Sequence, residues 1–236
     1  MQTSRTGRQL HSSLPGATPH LDDDSSPFEP DIPDIVIRRL PIYGRALQGL
    51  IARSSSTSVS SDELADAVGV SGAQIRRDLS YFGRFGKQGK GYDAARLIAE
   101  INRILRLDQD WSVALAGYGN LGRAIAHHGG FVPSTFRIDA IFDHNEDRIG
   151  TAIGDIVIRD ESLITETVDE LQIRIGIIAV PESAAQSVAD ALIAGGVEAL
   201  VNYAPVHLRV PESVTVRDID PVGAMQSMTY YLSRAE

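Results

Sequence analysis

The stretch "WSVALAGYGNLGRAIAHHGG", residues 111–130, decides the fold. An apolar run from Trp111 to Ala116 leads into glycines at 117, 119 and 122, and a helical pattern follows. A glycine fingerprint alone is weak evidence. Here it lies between a strand pattern and a helix pattern, and a second apolar run, "FRIDAIFD" (136–143), ends on an acid, Asp143. In that setting the glycines have distinct roles. Gly117 permits the tight turn, Gly119 lets the backbone approach a pyrophosphate, and Gly122 packs helix on strand. Amides at the helix start, with Tyr118, Asn120 and Leu121 in the loop, suit phosphate binding. Asp143 is placed to accept hydrogen bonds from an adenine ribose and to repel a 2′-phosphate, which favours NAD(H) over NADP(H).

Downstream the alternation continues. "RIGIIAVP" (174–181) reads as a buried strand, "ESAAQSVADALIAGG" as a helix with a glycine stop, and "VEALVNYAPVHL" and "SVTVRDID" as two further strands. Strand and helix in turn imply a parallel, doubly wound sheet. Its ligands sit beyond the strand C-termini, so Ala179, Val180 and Pro181, and Asn202, Tyr203, Ala204 and Pro205, are candidates for the nicotinamide side. Ordinary proline-ended turns explain these two loops equally well. A final helix, about Val222 to Arg234, carries an apolar face suited to a partner subunit.

Upstream the chemistry differs. Net charge is −9 overall, but residues 34–106 hold 12 basic and 7 acidic side chains, while residues 111–236 hold 8 and 17. A basic module fused to an acidic one points to a polyanion partner for the former. In "VSSDELADAVGVSGAQIRRDLSYFG" (59–83), Ser60 and Glu63 have capping-box spacing, Gly69 can turn the chain, and Ser71 can cap a second helix with Ile75 and Leu79 inward. Two short helices across a glycine turn make a helix-turn-helix. Gln74, Arg76, Arg77 and Ser80 are left facing outward or flanking, as on a helix laid in a major groove. A hairpin with merely solvated arginines fits the isolated motif as well. The continuation shifts the balance, because "GRFGKQGKGYD" (83–93) alternates glycines with Arg84, Lys87 and Lys90, as a basic wing would. Lys87 and Lys90 are the only lysines in the chain. A third helix, about Ala94 to Leu107, closes this module, and a helix with an expected kink at Pro41 opens it, with Ile35, Leu40, Ile42, Leu47, Leu50 and Ile51 at helical spacing.

The segments "RRLPIYGRAL", "SSDELADAVGVSGAQIRRDLSYFGRFGKQGKGYD", "GYGNLG" and "LVNYAP", in this order and spacing, resemble the Rex family of bacterial redox-sensing transcriptional repressors over about residues 32–234. The resemblance implies a homodimer whose winged helices bind palindromic double-stranded operator DNA at high NAD⁺/NADH and release it when NADH binds. It also implies that the C-terminal helix crosses to the other subunit. The expected DNA-binding set is Gln74, Arg76, Arg77, Ser80, Tyr81, Arg84, Lys87 and Lys90. The family's switch residues map to Arg45, to Asp220 and, where the family has a tyrosine, to His128. Pro221 follows Asp220 where the family often has an aromatic. A plain half-exposed histidine is the competing reading of His128.

The expected architecture is thus α/β. A tail (1–31), rich in Ser, Pro and Asp and read as disordered, precedes a winged helix-turn-helix domain (32–108). A Rossmann-like doubly wound parallel-sheet domain (109–220) and a C-terminal helix (221–236) follow. Cysteine is absent, which excludes disulfides, zinc–thiolate sites and thiol catalysis, and no metal is expected. The N-terminus lacks the apolar core of a signal peptide and no apolar run would span a bilayer, so the expected location is the cytoplasm. An NAD-dependent oxidoreductase with an appended DNA-binding domain is the rival reading. It needs a proton donor or acceptor beside the nicotinamide, and residues 111–236 offer no lysine or cysteine, no obvious histidine–carboxylate pair, and only His128 and Tyr203 as poor candidates. Binding without turnover is the better expectation. A CoA-type nucleotide binder is a third reading, against which Asp143 argues, since a carboxylate suits a free ribose better than a 3′-phosphate.

Overall fold

An apolar stripe at Val36, Leu40, Tyr43 and Leu47, spaced four, three and four residues apart, winds Asp34–Arg53 into one helix, α1, buried along that stripe. The computed structural model describes residues 32–53, 57–87, 91–127 and 135–232. α1 runs through Pro41 as a single helix, so the expected kink does not divide it. Of the apolar residues at helical spacing, Ile35 and Ile42 are about half exposed, because they fall on the opposite side of the helix from Leu40.

The rest of the first module follows its local signals closely. A short strand β1 (Ser58–Val59) precedes α2 (Ser61–Val68). Ser60 caps α2 with both halves of the capping box present, and Gly69 ends it in the left-handed conformation at φ 73°. α3 (Gly72–Ser80) starts where Ser71 accepts from the Gln74 amide. β2 (Gly86–Lys87) and β3 (Gly91–Asp93) pair antiparallel, and β1 lies on the other side of β3. Asp93 then caps α4 (Ala94–Ile104). Leu40, Tyr43, Leu47, Leu64, Ile75, Leu79, Leu97 and Ile101 form the core of this module.

The second module is the doubly wound sheet. In chain order it contains β4 (Trp111–Ala116), α5 (Asn120–His127), β5 (Phe136–Asp143), β6 (Ala152–Ile153), β7 (Ile156–Asp160), α6 (Ile164–Glu170), β8 (Ile175–Ile178), α7 (Glu182–Ala194), β9 (Ala199–Asn202), β10 (Thr215–Asp218) and α8 (Pro221–Leu232). The sheet order is β10-β9-β8-β4-β5-β7-β6, parallel throughout except for the edge strand β6. From β4 the chain builds outward through β5 to β7, then crosses back to β8 on the other side of β4. The crevice between β4 and β8 is the topological switch point, where such sheets bind ligands. Along α8 the large apolar side chains Val222, Met225, Met228, Tyr231 and Leu232 are all more than half exposed.

Candidate functional site

The glycine loop occupies that switch point. Gly117 has φ +94°, and a Cβ there would lie 2.4 Å from the Ala179 carbonyl oxygen; one on Gly122 would lie 1.9 Å from that of Gly117. Only hydrogen fits at either place. A Cβ on Gly119, by contrast, would meet nothing within 4 Å, so its backbone faces open space. Beyond the loop is a cavity of about 540 Å³ lined by Gly117, Gly119, Asn120, Leu121, Asp143, His144, Arg148, Ala179, Val180 and Pro181. The first turn of α5 opens onto it at Asn120 and Leu121, turning helix N-terminal amides and the positive end of the helix dipole toward an anion.

Asp143 stands where the sequence placed it, at the end of β5, and its carboxylate is already engaged within the protein. It is 3% exposed. One carboxylate oxygen accepts from the Tyr118 amide (2.7 Å) and from Arg148 Nη1 (3.0 Å), and the other from the Asn145 amide (2.8 Å). Burial pushes the Asp143 carboxyl up, but the amides of Asn145 and Tyr118 and the Arg148 guanidinium outweigh it and hold the group below the ordinary aspartate range. Asp143 therefore ties the glycine loop to the end of β5 and brings a cation to the cavity wall. Arg148 and His144 escaped sequence reading because only the folded 144–150 turn returns them to the mouth. The one signal was a cation five residues past the acid.

The two candidate nicotinamide loops part company. Ala179, Val180 and Pro181 line the cavity, whereas Asn202, Tyr203, Ala204 and Pro205 do not. Asn202 is fully buried and consumed internally: its amide nitrogen donates to the Val206 carbonyl and to Asp218 (2.8 Å each), and its oxygen accepts from the Ala204 amide (3.0 Å). It holds the turn after β9 rather than presenting a ligand group. Tyr118 is buried too, with its hydroxyl 2.7 Å from Nε2 of His127.

On the first module, α3 and the β2–β3 hairpin enclose a second cavity of about 580 Å³, with Arg76, Ser80 and Arg84 among its lining. Arg77 and Arg84 are exposed, as is Arg76, which donates to Ser61 Oγ (2.5 Å) and lies 3.9 Å from Asp62. Ser80 donates to the Arg77 carbonyl, and Tyr81 is half-buried at the helix end. Gln74 departs from the expectation of an outward reader, because its amide donates to Asp78 at 2.6 Å. The backbone of Lys87 lies in β2, while Lys90 and His128 lie outside the described residues, as does the tail. Arg45 is exposed on α1, and Asp220 is exposed just before α8, where it accepts from the Gly223 amide (2.8 Å). Among the described residues no helix is long and apolar enough to cross a membrane, and no three His, Asp or Glu side chains gather as metal ligands.

Two family models match this arrangement, "Putative DNA-binding protein N-terminus" over residues 31–80 and "CoA binding domain" over residues 108–206. The redox-sensing transcriptional repressor Rex of Chloroflexus aggregans is 52% identical over 204 residues, covering 86% of this chain and 96% of that protein. The chain belongs to the Rex family. Rex of Roseiflexus is 49% identical, covering 86% of this chain and 91% of its own, and Rex of Streptomyces griseus is 42% identical, covering 86% and 80%. The crystal structure of RSP in complex with β-NAD⁺ and operator DNA superimposes with a TM-score of 0.80 at 36% identity, covering 86% of this chain and 93% of RSP. RSP in complex with β-NADH gives 0.77 at 34%, covering 86% and 95%. The Rex fold is thus the observed one, a DNA-binding module joined to a nucleotide-binding sheet.

Proposed function

We propose that this chain is an NADH-responsive transcriptional repressor that binds operator DNA at high NAD⁺/NADH and is released from it by NADH. One observation carries the reading: a glycine-loop cavity at the sheet's switch point belongs to the same chain as a helix and hairpin that present Arg76, Arg77 and Arg84. The relatives named Rex, and RSP bound to β-NAD⁺ with operator DNA and to β-NADH, support both ligands. They also favour a dinucleotide over CoA in the matched domain. The cavity's polar side chains support binding without turnover. Asp143, His144 and Arg148 all lie at the β5 side, where the adenosine would rest, while the β8 side offers only Ala179, Val180 and Pro181. Among the described residues, no side chain lining the β8 side of the cavity can pass a proton to or from a substrate at the nicotinamide.

The active species in this reading is a cytoplasmic homodimer on a palindromic operator, with α8 crossing to the partner. The exposed apolar side chains of α8 support that role, since their area calls for a covering surface. Arg45 and Asp220 are assigned to the link between cofactor and domain position. A gel shift on the DNA upstream of the chain's own coding sequence, with NAD⁺, NADH and NADPH titrated separately, tests the reading. Release by NADH at concentrations where NAD⁺ leaves the complex intact supports it; release by neither, or equally by both, overturns it.

A further inference from the structure

The only acid on α3, Asp78, is completely buried. Its carboxylate accepts four hydrogen bonds: Nε and Nη2 of Arg39 (2.7 and 2.9 Å), the Tyr43 hydroxyl (2.6 Å) and Nε2 of the Gln74 side chain (2.6 Å). Arg39 and Tyr43 stand one turn apart on the same face of α1, and Gln74 one turn before Asp78 on α3. Burial and the bond to Asp78 push the Tyr43 hydroxyl well above the ordinary tyrosine range, so it remains a donor. The bond to Asp78 likewise raises Arg39.

Stability alone is a poor reason for such a cluster. A buried ion pair exchanged for well-packed apolar side chains is often neutral or stabilising, because desolvation offsets the attraction. Geometry is a better one. The planar guanidinium fork meets a carboxylate in two parallel bonds and tolerates little rotation between them. Arg76 and Arg77 stand two and one residues before Asp78 on the same helix, so whatever sets the rotation of Asp78 sets theirs. A turn of α3 by about 20° would move groups at a helix radius of about 6 Å by about 2 Å. Recognition needs its groups held to within about 0.5 Å.

We propose that Asp78, held by Arg39 and Tyr43, is a positioning residue that sets the rotation of α3 and thereby the discrimination between operator and other DNA. Arg39 and Tyr43 touch no DNA in this scheme. General attraction to phosphates, which needs charge but little orientation, does not depend on them. The proposal rests on the reading of α3 as the helix that meets DNA.

The test uses the full chain and two variants, Arg39→Met/Asp78→Leu, which fills the site with apolar side chains, and Tyr43→Phe, which keeps the ring and drops one bond. Affinities for operator and for a random duplex are measured at fixed salt, with the salt slope, NADH binding and the melting temperature. The double variant is expected to keep its random-duplex affinity, salt slope and NADH binding while its operator preference falls about tenfold or more, the scale of one lost base contact. Tyr43→Phe is expected to lose preference in the same direction but less. Wild-type operator preference in both variants overturns the proposal. So does a parallel loss on operator and random duplex, which marks general weakening; if the double variant does not fold, the Tyr43→Phe ratio decides. A wild-type chain with no operator preference would instead refute the repressor reading itself.

Discussion

Gly122→Ala is the sharpest single perturbation of the cofactor cleft. The new Cβ would sit 1.9 Å from the Gly117 carbonyl oxygen and 2.9 Å from its carbon, where ordinary contact begins at 3.4 Å. The loop must therefore open by about 1.5 Å. It has nowhere to retreat, because Gly117 already lies against the Ala179 carbonyl. Overpacking against backbone belongs at the upper end of the range for such changes, about 3 kcal/mol. For a chain of this size that lowers Tm by about 6–12 °C. The same displacement carries loop amides out of reach of a phosphate. Two charge-assisted bonds at about 1.5 kcal/mol each are about 3 kcal/mol, or about a hundredfold in NADH affinity. Gly119→Ala is the matched control: its Cβ meets nothing within 4 Å, so Tm should hold while the methyl fills the space kept for the pyrophosphate and NADH binding falls. Calorimetric NADH titration and a thermal melt on both variants separate these effects. Wild-type NADH affinity in Gly122→Ala, or in Gly119→Ala, would refute the placing of phosphate at this loop.

Three further outcomes follow from other parts of the molecule. Lys87→Ala/Lys90→Ala should weaken binding to every DNA sequence and flatten the salt slope by about two at most, as anisotropy at several salt concentrations would show; an unchanged slope removes the hairpin from the interface. Asp143 binds its proton more weakly folded than unfolded, so its contribution to stability is complete above the ordinary value of 3.8 and is lost as pH falls through the lower folded value. A melting series from pH 7 to pH 3 should therefore fall only at the acid end, and less steeply in Asp143→Asn, which should also bind NADH more weakly and need more of it to release DNA. Arg217 on β10 pairs with Asp34 at the start of α1, yet both side chains are well exposed. Arg217→Ala should cost less than about 1 kcal/mol in a denaturant melt.

What could be read from sequence was what short-range chemistry determines. Ser60 with Glu63, Ser71 and Gly69 mark the ends of α2 and α3 because caps are made by residues within four positions of each other. The glycine loop was legible because its spacing is itself the geometry. Roles set by distant packing were not legible. Nothing local marks Asp78, the one acid among the basic residues 76–90, as buried; only α1, more than thirty residues earlier, makes it a buried acceptor. Asn202 looked like a ligand group until β10 and Val206 were in place to consume its amide. The strands β6 and β7 and helix α6 went unread, since isoleucines at 153, 156 and 158 are too few and too close for either period to stand out.

The central claim is that the two modules share one equilibrium, and linkage tests it directly. NADH affinity is measured by titration calorimetry on the free chain and on the chain saturated with operator, and operator affinity with and without saturating NADH. The account predicts that operator weakens NADH binding by the same factor by which NADH weakens operator binding, a factor well above one. Equal NADH affinity in the free and operator-bound chain would contradict it.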